Sequence, residues 1–474
     1  MTCRAPVRLL ALCCALPLCA VPKDPWLRIT SANFELFTTA GERSGRDLIR
    51  HFEQVRSFFT QAFGSKLAAA KPVRIVAFHS HDEYRPYRPN ELATAFYQPG
   101  TEHDFIVMES GAREHYEVAV HEFTHLMIHQ SNQTLPVWLN EGMAELYSNL
   151  EPTGSKIVVG NVIAGRAQTL LREKWIDLRT VVAVDHNSPL YSERSKAGMF
   201  YAESWALVHM LNLDPAYRPQ FRAMVEALKE GGAPAAFQGA YGKSIDQVQD
   251  DLRVYLTNAT IHAAVFDIQL PKSVETPEFE TAAGVPARLA LAELLTNTRG
   301  KLDQAHAAYE QLARDYPNRW EVEEGLAQWN WRQRRSDEAL RHFARAAELG
   351  CPHPHLFLEY ARILGYAHRN DEAVTALQSA VKLDPGLKEA HFELGAAYVR
   401  LARYAEAIAE LLQVKKVTPA EAPRYFYNLA YANYRLGDAA KARAFVEKGR
   451  PYATNPEEAA QLERLSQALA DGGH

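Results

Sequence analysis

The chain reads as an α+β domain followed by an all-α solenoid of repeated helical pairs. Three observations predict this. Residues 21–270 mix strand-like alternation with helical spacing. Residues 287–474 are almost wholly helical in pattern and resemble themselves at a fixed interval. Between them, residues 271–286 hold Pro271, Pro277 and Pro286 among polar residues and read as a linker or a poorly regular connection.

At the N-terminus, Arg4 and Arg8 flank the start of an apolar run through Leu9, Leu10, Leu12, Leu16 and Leu18 to Ala20. A basic start and a short apolar stretch read as a secretory signal peptide over 1–20. Four of the five cysteines fall in it, and the mature chain keeps Cys351 alone, so no internal disulfide is expected. Export without disulfides points to a bacterial periplasm or exterior. No later segment is apolar enough to span a bilayer.

Past the leader, Phe34 to Thr38 alternates as a strand does. Residues 47–63 have helical spacing, with Leu48, Phe52, Val55, Phe58 and Phe59 on one side. Val73 to Phe78 is β-rich. Phe105 to Met108 follows the turn-forming Pro99-Gly100, and is either an edge strand able to align a peptide or an ordinary internal strand. Helices are expected at about 114–130, 137–149, 199–213, 217–229 and 244–258.

In the C-terminal part, Ala305, Ala339, Ala373, Ala407 and Ala442 each follow a short polar pair, at steps of 34, 34, 34 and 35 residues. Pro317, Pro352, Pro385 and Pro419 recur near the end of each unit, where proline stops a helix. A helix-turn-helix period of about 34 residues resembles the tetratricopeptide repeat. Ala390 to Pro419 carries that resemblance best, with Leu394-Gly395, Tyr398, Tyr404, Ala407 and Pro419 in family positions. About five units are expected, with Glu457 to Ala470 as a capping helix. The resemblance implies a concave surface for a peptide or protein partner. Cys351 reads as a packing residue within these repeats.

The chemistry concentrates in His121-Glu122-Phe123-Thr124-His125. On a helix, positions i and i+4 share one face, so both imidazoles can aim at one zinc ion. Glu122 stands beside them, where it can take the proton of an attacking water. The flanking Val118, Ala119, Val120, Leu126, Met127 and Ile128 make the helix a buried one. The net charge of −5 gives no basic field for nucleic acid, and none is expected as a partner.

Downstream stands Trp138-Leu139-Asn140-Glu141-Gly142-Met143-Ala144-Glu145. Trp-Leu-Asn-Glu-Gly-x-Ala is similar to the third-ligand segment of gluzincin metallopeptidases of the aminopeptidase-N and thermolysin type, often labelled peptidase MA-like. That resemblance implies a zincin-like α+β catalytic domain with Glu141 as third zinc ligand. It also implies that Glu145, one turn on, braces a ligand histidine. Tyr201-Ala202-Glu203-Ser204-Trp205 resembles the family helix that opens with a catalytic tyrosine, which makes Tyr201 the donor to the oxyanion. The chain departs from the family in three places. The spacing from His125 to Glu141 is shorter, Lys-Gly does not follow Tyr201, and no Gly-x-Met-Glu-Asn segment grips a free amine. The expected function is therefore a zinc-dependent endopeptidase with a repeat domain for substrate or partner. The alternative is a non-catalytic or narrowly selective envelope scaffold or assembly factor that binds proteins through its repeats.

Overall fold

The computed structural model describes residues 26–471 apart from 64–72, 92, 101, 132–133, 193, 258–260, 271–276 and 282. The expected signal peptide, 1–20, lies outside the described residues.

The first domain is built on a mixed sheet. Its strands are β1 (Leu27–Thr30), β2 (Phe34–Thr38), β3 (Val73–Phe78), β4 (Ala95–Gln98) and β5 (Asp104–Glu109). Three more, β6 (Glu151–Thr153), β7 (Lys156–Val159) and β8 (Ala264–Asp267), form a small separate antiparallel sheet, and β9 (Glu278–Thr281) returns to the large one. The large sheet has the order β4-β5-β3-β2-β1-β9. Strands β2, β3 and β5 are parallel, and β4, β1 and β9 add antiparallel edges. Phe105 to Met108 therefore lies in an interior strand, between β4 and β3, and the edge-strand alternative for it does not hold.

Period-two alternation divides the sheet between two cores. Leu36, Val73, Ile75, Ile106 and Met108 face one side and pack with the helices α1 (Glu42–Phe63) and, after the short α2 (His81–Tyr84), α3 (Arg113–Gln130). Phe37, Val76, Phe78, Phe105 and Val107 face the other. A sheet buried on both faces explains why β3 and β5 read as nearly continuous apolar runs.

The helices that follow are α4 (Val137–Ser148), α5 (Ala164–Arg172), α6 (Leu178–Val182), α7 (Pro189–Ser192), α8 (Arg194–Leu213), α9 (Phe221–Tyr241) and α10 (Ile245–Thr257). Helix α9 outruns its expected end near 229, because the chain breaks helical geometry at Gly232 (φ 70°, ψ 177°) and resumes with Pro234 in its first turn. The glycine absorbs a conformation that other residues resist.

The second face of the sheet is covered by α11 (Gly284–Asn297), through Ala287, Ala290, Leu291 and Leu294. This corrects the C-terminal part of the expected linker over 271–286, of which 271–276 lie outside the described residues. Its end is ordered structure: β9 pairs with β1, and α11 begins two residues before Pro286. Prolines are compatible with this because Pro286 sits in the first turn of a helix, where no N–H is needed. Polar contacts reinforce the seam. Arg74 of β3 pairs with Glu293 of α11, His103 Nδ1 lies 3.1 Å from Glu293 Oε1, and Lys301 Nζ donates to the Pro86 carbonyl at 3.1 Å.

The repeats continue as antiparallel pairs: α12 (Leu302–Asp315), α13 (Trp320–Arg332), α14 (Ser336–Glu348), α15 (Pro354–Tyr366), α16 (Asn370–Leu383), α17 (Lys388–Arg400), α18 (Tyr404–Leu411), α19 (Ala422–Arg435), α20 (Ala439–Gly449) and a final α21 (Pro456–Asp471). The five periodic alanines, Ala305, Ala339, Ala373, Ala407 and Ala442, are all 0% exposed. The backbone repeats too. A left-handed residue closes the turn within each pair at Gly300, Arg334, His368, Ala402 and Gly437, with φ between 57° and 82°. These positions keep the same 34-residue step as the alanines, with one step of 35.

Candidate metal centre

The site grows from three helices. α3 presents His121, Glu122 and His125, α4 presents Glu141 and Glu145, and α8 presents Tyr201. α4 and α8 approach closely at Gly142. A Cβ there would fall 2.4 Å from the Ser204 main-chain oxygen and 2.4 Å from Val208 Cγ2, so glycine is a packing requirement beside Glu141. Trp138, fully buried, anchors the start of α4 against Phe237.

His121 Nε2 and His125 Nε2 lie 3.1 Å apart, and Glu141 Oε2 lies 3.4 Å from each. A tetrahedral ion bound at 2.0–2.1 Å holds its donors about 3.3 Å apart. The spacing of the three atoms therefore fits zinc. The far side of each ring explains the orientation. His125 Nδ1 meets Asn140 Oδ1 at 3.2 Å, and His121 Nδ1 meets Glu145 Oε1 at 3.4 Å. Acceptors at both Nδ1 atoms favour a proton there, which leaves both Nε2 lone pairs facing one another. Two lone pairs and a carboxylate oxygen repel unless a cation or a shared proton lies between them. Glu141 Oε2 is buried and meets no hydrogen-bond geometry, as expected of an atom shaped for a metal.

The charges agree with this geometry. Burial by itself would raise the Glu141 carboxyl, but His121 and His125 overcome it and hold the group well below its ordinary range. Burial would lower His125, while Glu141 and then Glu122 pull it above its usual value. Glu122 is half-buried, near enough for its charge to act on His125 and Tyr191. Tyr201 borders the site, its ring 6.5 Å from that of His121 and tilted by 58° to it, and burial together with Glu141 raises its hydroxyl.

Three neighbours were not singled out from the sequence. Tyr191 of α7 donates to Glu141 Oε1 at 3.1 Å, so the two carboxylate oxygens have separate tasks. Arg166 of α5 grips Glu145 with two hydrogen bonds of 2.7 Å and lies over the Tyr201 ring at 5.3 Å. Asn140 supports His125. Asn140 adjoins Glu141 in the sequence and could have been read from it. Tyr191 and Arg166 come from short helices without motif, 50 and 21 residues from their partners, and no local pattern announces them. His129 is exposed near the end of α3, away from the cluster. Outside this centre, the described residues bring together one further donor group, Glu324, Cys351 and His353.

Models of the tetratricopeptide repeat family match residues 298–351 and 366–427. No curated protein matches the chain. Among solved structures, the chain is similar to YrrB, described as a TPR protein with an unusual peptide-binding site, at 21% identity over 37% of this chain and 90% of that one (TM-score 0.34). It is similar to MamA at 18% identity over 36% and 92% (TM-score 0.32). It is also similar to pilF of Pseudomonas aeruginosa at 18% identity over 40% and 85% (TM-score 0.32). The C-terminal part of the chain is thus an all-α array of tetratricopeptide repeats, and such repeats imply protein partners. Among the described residues, no helix is long and apolar enough to cross a membrane.

Proposed function

We propose that the chain is a zinc-dependent peptidase whose repeats hold a protein substrate or partner. The observation that carries this is the mutual 3.1–3.4 Å spacing of His121 Nε2, His125 Nε2 and Glu141 Oε2, with an acceptor behind each ring. Zinc bound by these three residues would supply a Lewis acid and lower the pKa of water. Glu122 then takes the proton from the attacking water and returns it to the leaving amine. The Tyr201 hydroxyl, kept protonated by burial, donates to the carbonyl oxygen as that atom gains charge. Glu145 and Asn140 keep the two rings oriented, and Tyr191 does the same for Glu141.

A second reading is favoured by the family matches, which fall wholly in the repeats. In it the chain is a protein-binding scaffold or a narrowly selective assembly factor of the cell envelope. A casein digest with and without chelator, run beside Glu122→Gln, separates the two. The peptidase predicts cleavage that chelator abolishes and that falls at least about a hundredfold in the variant, with zinc still bound. Full activity in Glu122→Gln would refute the mechanism. Bound zinc without cleavage of casein would favour the scaffold or the selective factor.

A further inference from the structure

We propose that Glu324, Cys351 and His353 form a second zinc site, at the seam between the repeats and the sheet domain. It does not depend on the peptidase proposal. Glu324 comes from the middle of α13, and Cys351 and His353 come from the turn between α14 and α15. Gly350 takes φ 80° there, a left-handed conformation that reverses the chain directly before Cys351. One donor atom from each of the three residues lies within 4.8 Å of the others. His353 Nδ1 is 3.0 Å from Glu324 Oε2, and the main-chain N–H of His353 donates to Cys351 Sγ at 3.5 Å. Tetrahedral zinc with one sulfur, one nitrogen and one oxygen donor spaces them about 3.3–3.6 Å apart, between the 3.0 Å separation of the nitrogen and oxygen donors and the 4.8 Å bound on all three.

The donor set selects the metal. Thiolate with imidazole and carboxylate suits zinc, whereas magnesium and calcium take oxygen ligands. Burial adds to the case. Glu324 is 8% exposed and Cys351 3%, and a buried carboxylate is costly unless a cation meets it. His353 is the ion-pair partner of Glu324 among the described residues, at 3.0 Å.

The fourth coordination direction has candidates in the other domain. Glu324 and His353 line a cavity of about 280 Å³ shared with Glu102 and His103, from the approach to β5. The His103 and His353 rings are 6.4 Å apart, and His355 Nδ1 lies 3.2 Å from Glu102 Oε1. Zinc here would clip the second repeat to the sheet that backs α3.

The test strips the full chain with chelator and titrates it with Co²⁺, whose thiolate complexes absorb in the near ultraviolet. The wild type should show that band and should bind about two zinc ions by elemental analysis. Cys351→Ser should lose the band and retain about one zinc. His353→Ala and Glu324→Gln should each raise the cobalt dissociation constant at least about tenfold. The double variant His121→Ala/His125→Ala should keep the band. If Cys351→Ser fails to fold, Glu324→Gln decides on the same readout. Absence of the band in the wild type, its undiminished survival in Cys351→Ser, or unchanged cobalt affinity in Glu324→Gln would overturn the site and leave a hydrogen-bonded triad.

Discussion

Glu145 faces two partners, and replacing it by Gln should produce two separable losses. One oxygen lies 3.4 Å from His121 Nδ1, and both are held by Arg166 at 2.7 Å, with the Glu145 side chain 7% exposed. Removing the charge leaves the Arg166 guanidinium largely buried without a counter-ion, which costs about 3 kcal/mol of stability. It also weakens the brace on His121. Partners of this kind change metal affinity by about 10- to 100-fold, and the amide oxygen of Gln still accepts, so about tenfold is expected. That is about 1.4 kcal/mol. Zinc affinity is read by competition with a chromophoric chelator and stability by urea denaturation of the metal-free chain. The double variant Glu145→Gln/Arg166→Met decides between the roles. An apolar side chain of similar length removes the orphaned charge, so most of the stability should return. Zinc affinity should not return, because His121 still lacks its carboxylate. A zinc affinity within twofold of wild type in Glu145→Gln, or its recovery in the double variant, would refute the brace and leave Glu145 as a folding residue.

Two further outcomes are expected. Burial raises the Glu203 carboxyl to about 7, although it accepts the Ile176 N–H at 2.6 Å. Between about pH 4.5 and 7 the folded chain therefore holds a proton that the unfolded chain releases, and stability falls as pH rises through that window. Glu203→Gln keeps the acceptor and removes the titration. It should stabilise the chain by about 3 kcal/mol above pH 7 and hardly at all near pH 4. Equal melting shifts at both pH values would contradict this. In the repeats, Ala402 holds φ 59°, where the homologous turn has Gly437. Ala402→Gly should relieve a left-handed strain and, after the added freedom of the unfolded chain, gain about 0.5–1 kcal/mol. The midpoint of urea unfolding followed by circular dichroism checks it, and a lower midpoint would count against strain at this turn.

The repeats were legible because their period is carried by local constraints. A fully buried alanine recurs every 34 residues or so and marks the spacing, and a left-handed turn keeps the same step. The turn itself was not read, since Arg334, His368 and Ala402 occupy places that sequence reasoning assigns to glycine. Strands β1, β4 and β9, four residues each, are too short for alternation to stand out. Pairing partners, distant in sequence, decide that they are strands at all.

The sequence by itself determined the helix that carries His121, Glu122 and His125, the helix that carries Glu141 and Glu145, and the repeating array, because spacing along one helix decides which residues share a face. Tertiary structure alone decided the rest. It set Tyr191 against Glu141 and Arg166 against Glu145, made the end of the expected connection into strand β9 and the start of α11, laid α11 over the sheet, and gathered Glu324, Cys351 and His353 at the seam. These contacts join segments whose separation in the chain bears no relation to their distance in space. Only burial of both sheet faces and close packing of helices specify them, and neither leaves a local pattern to read.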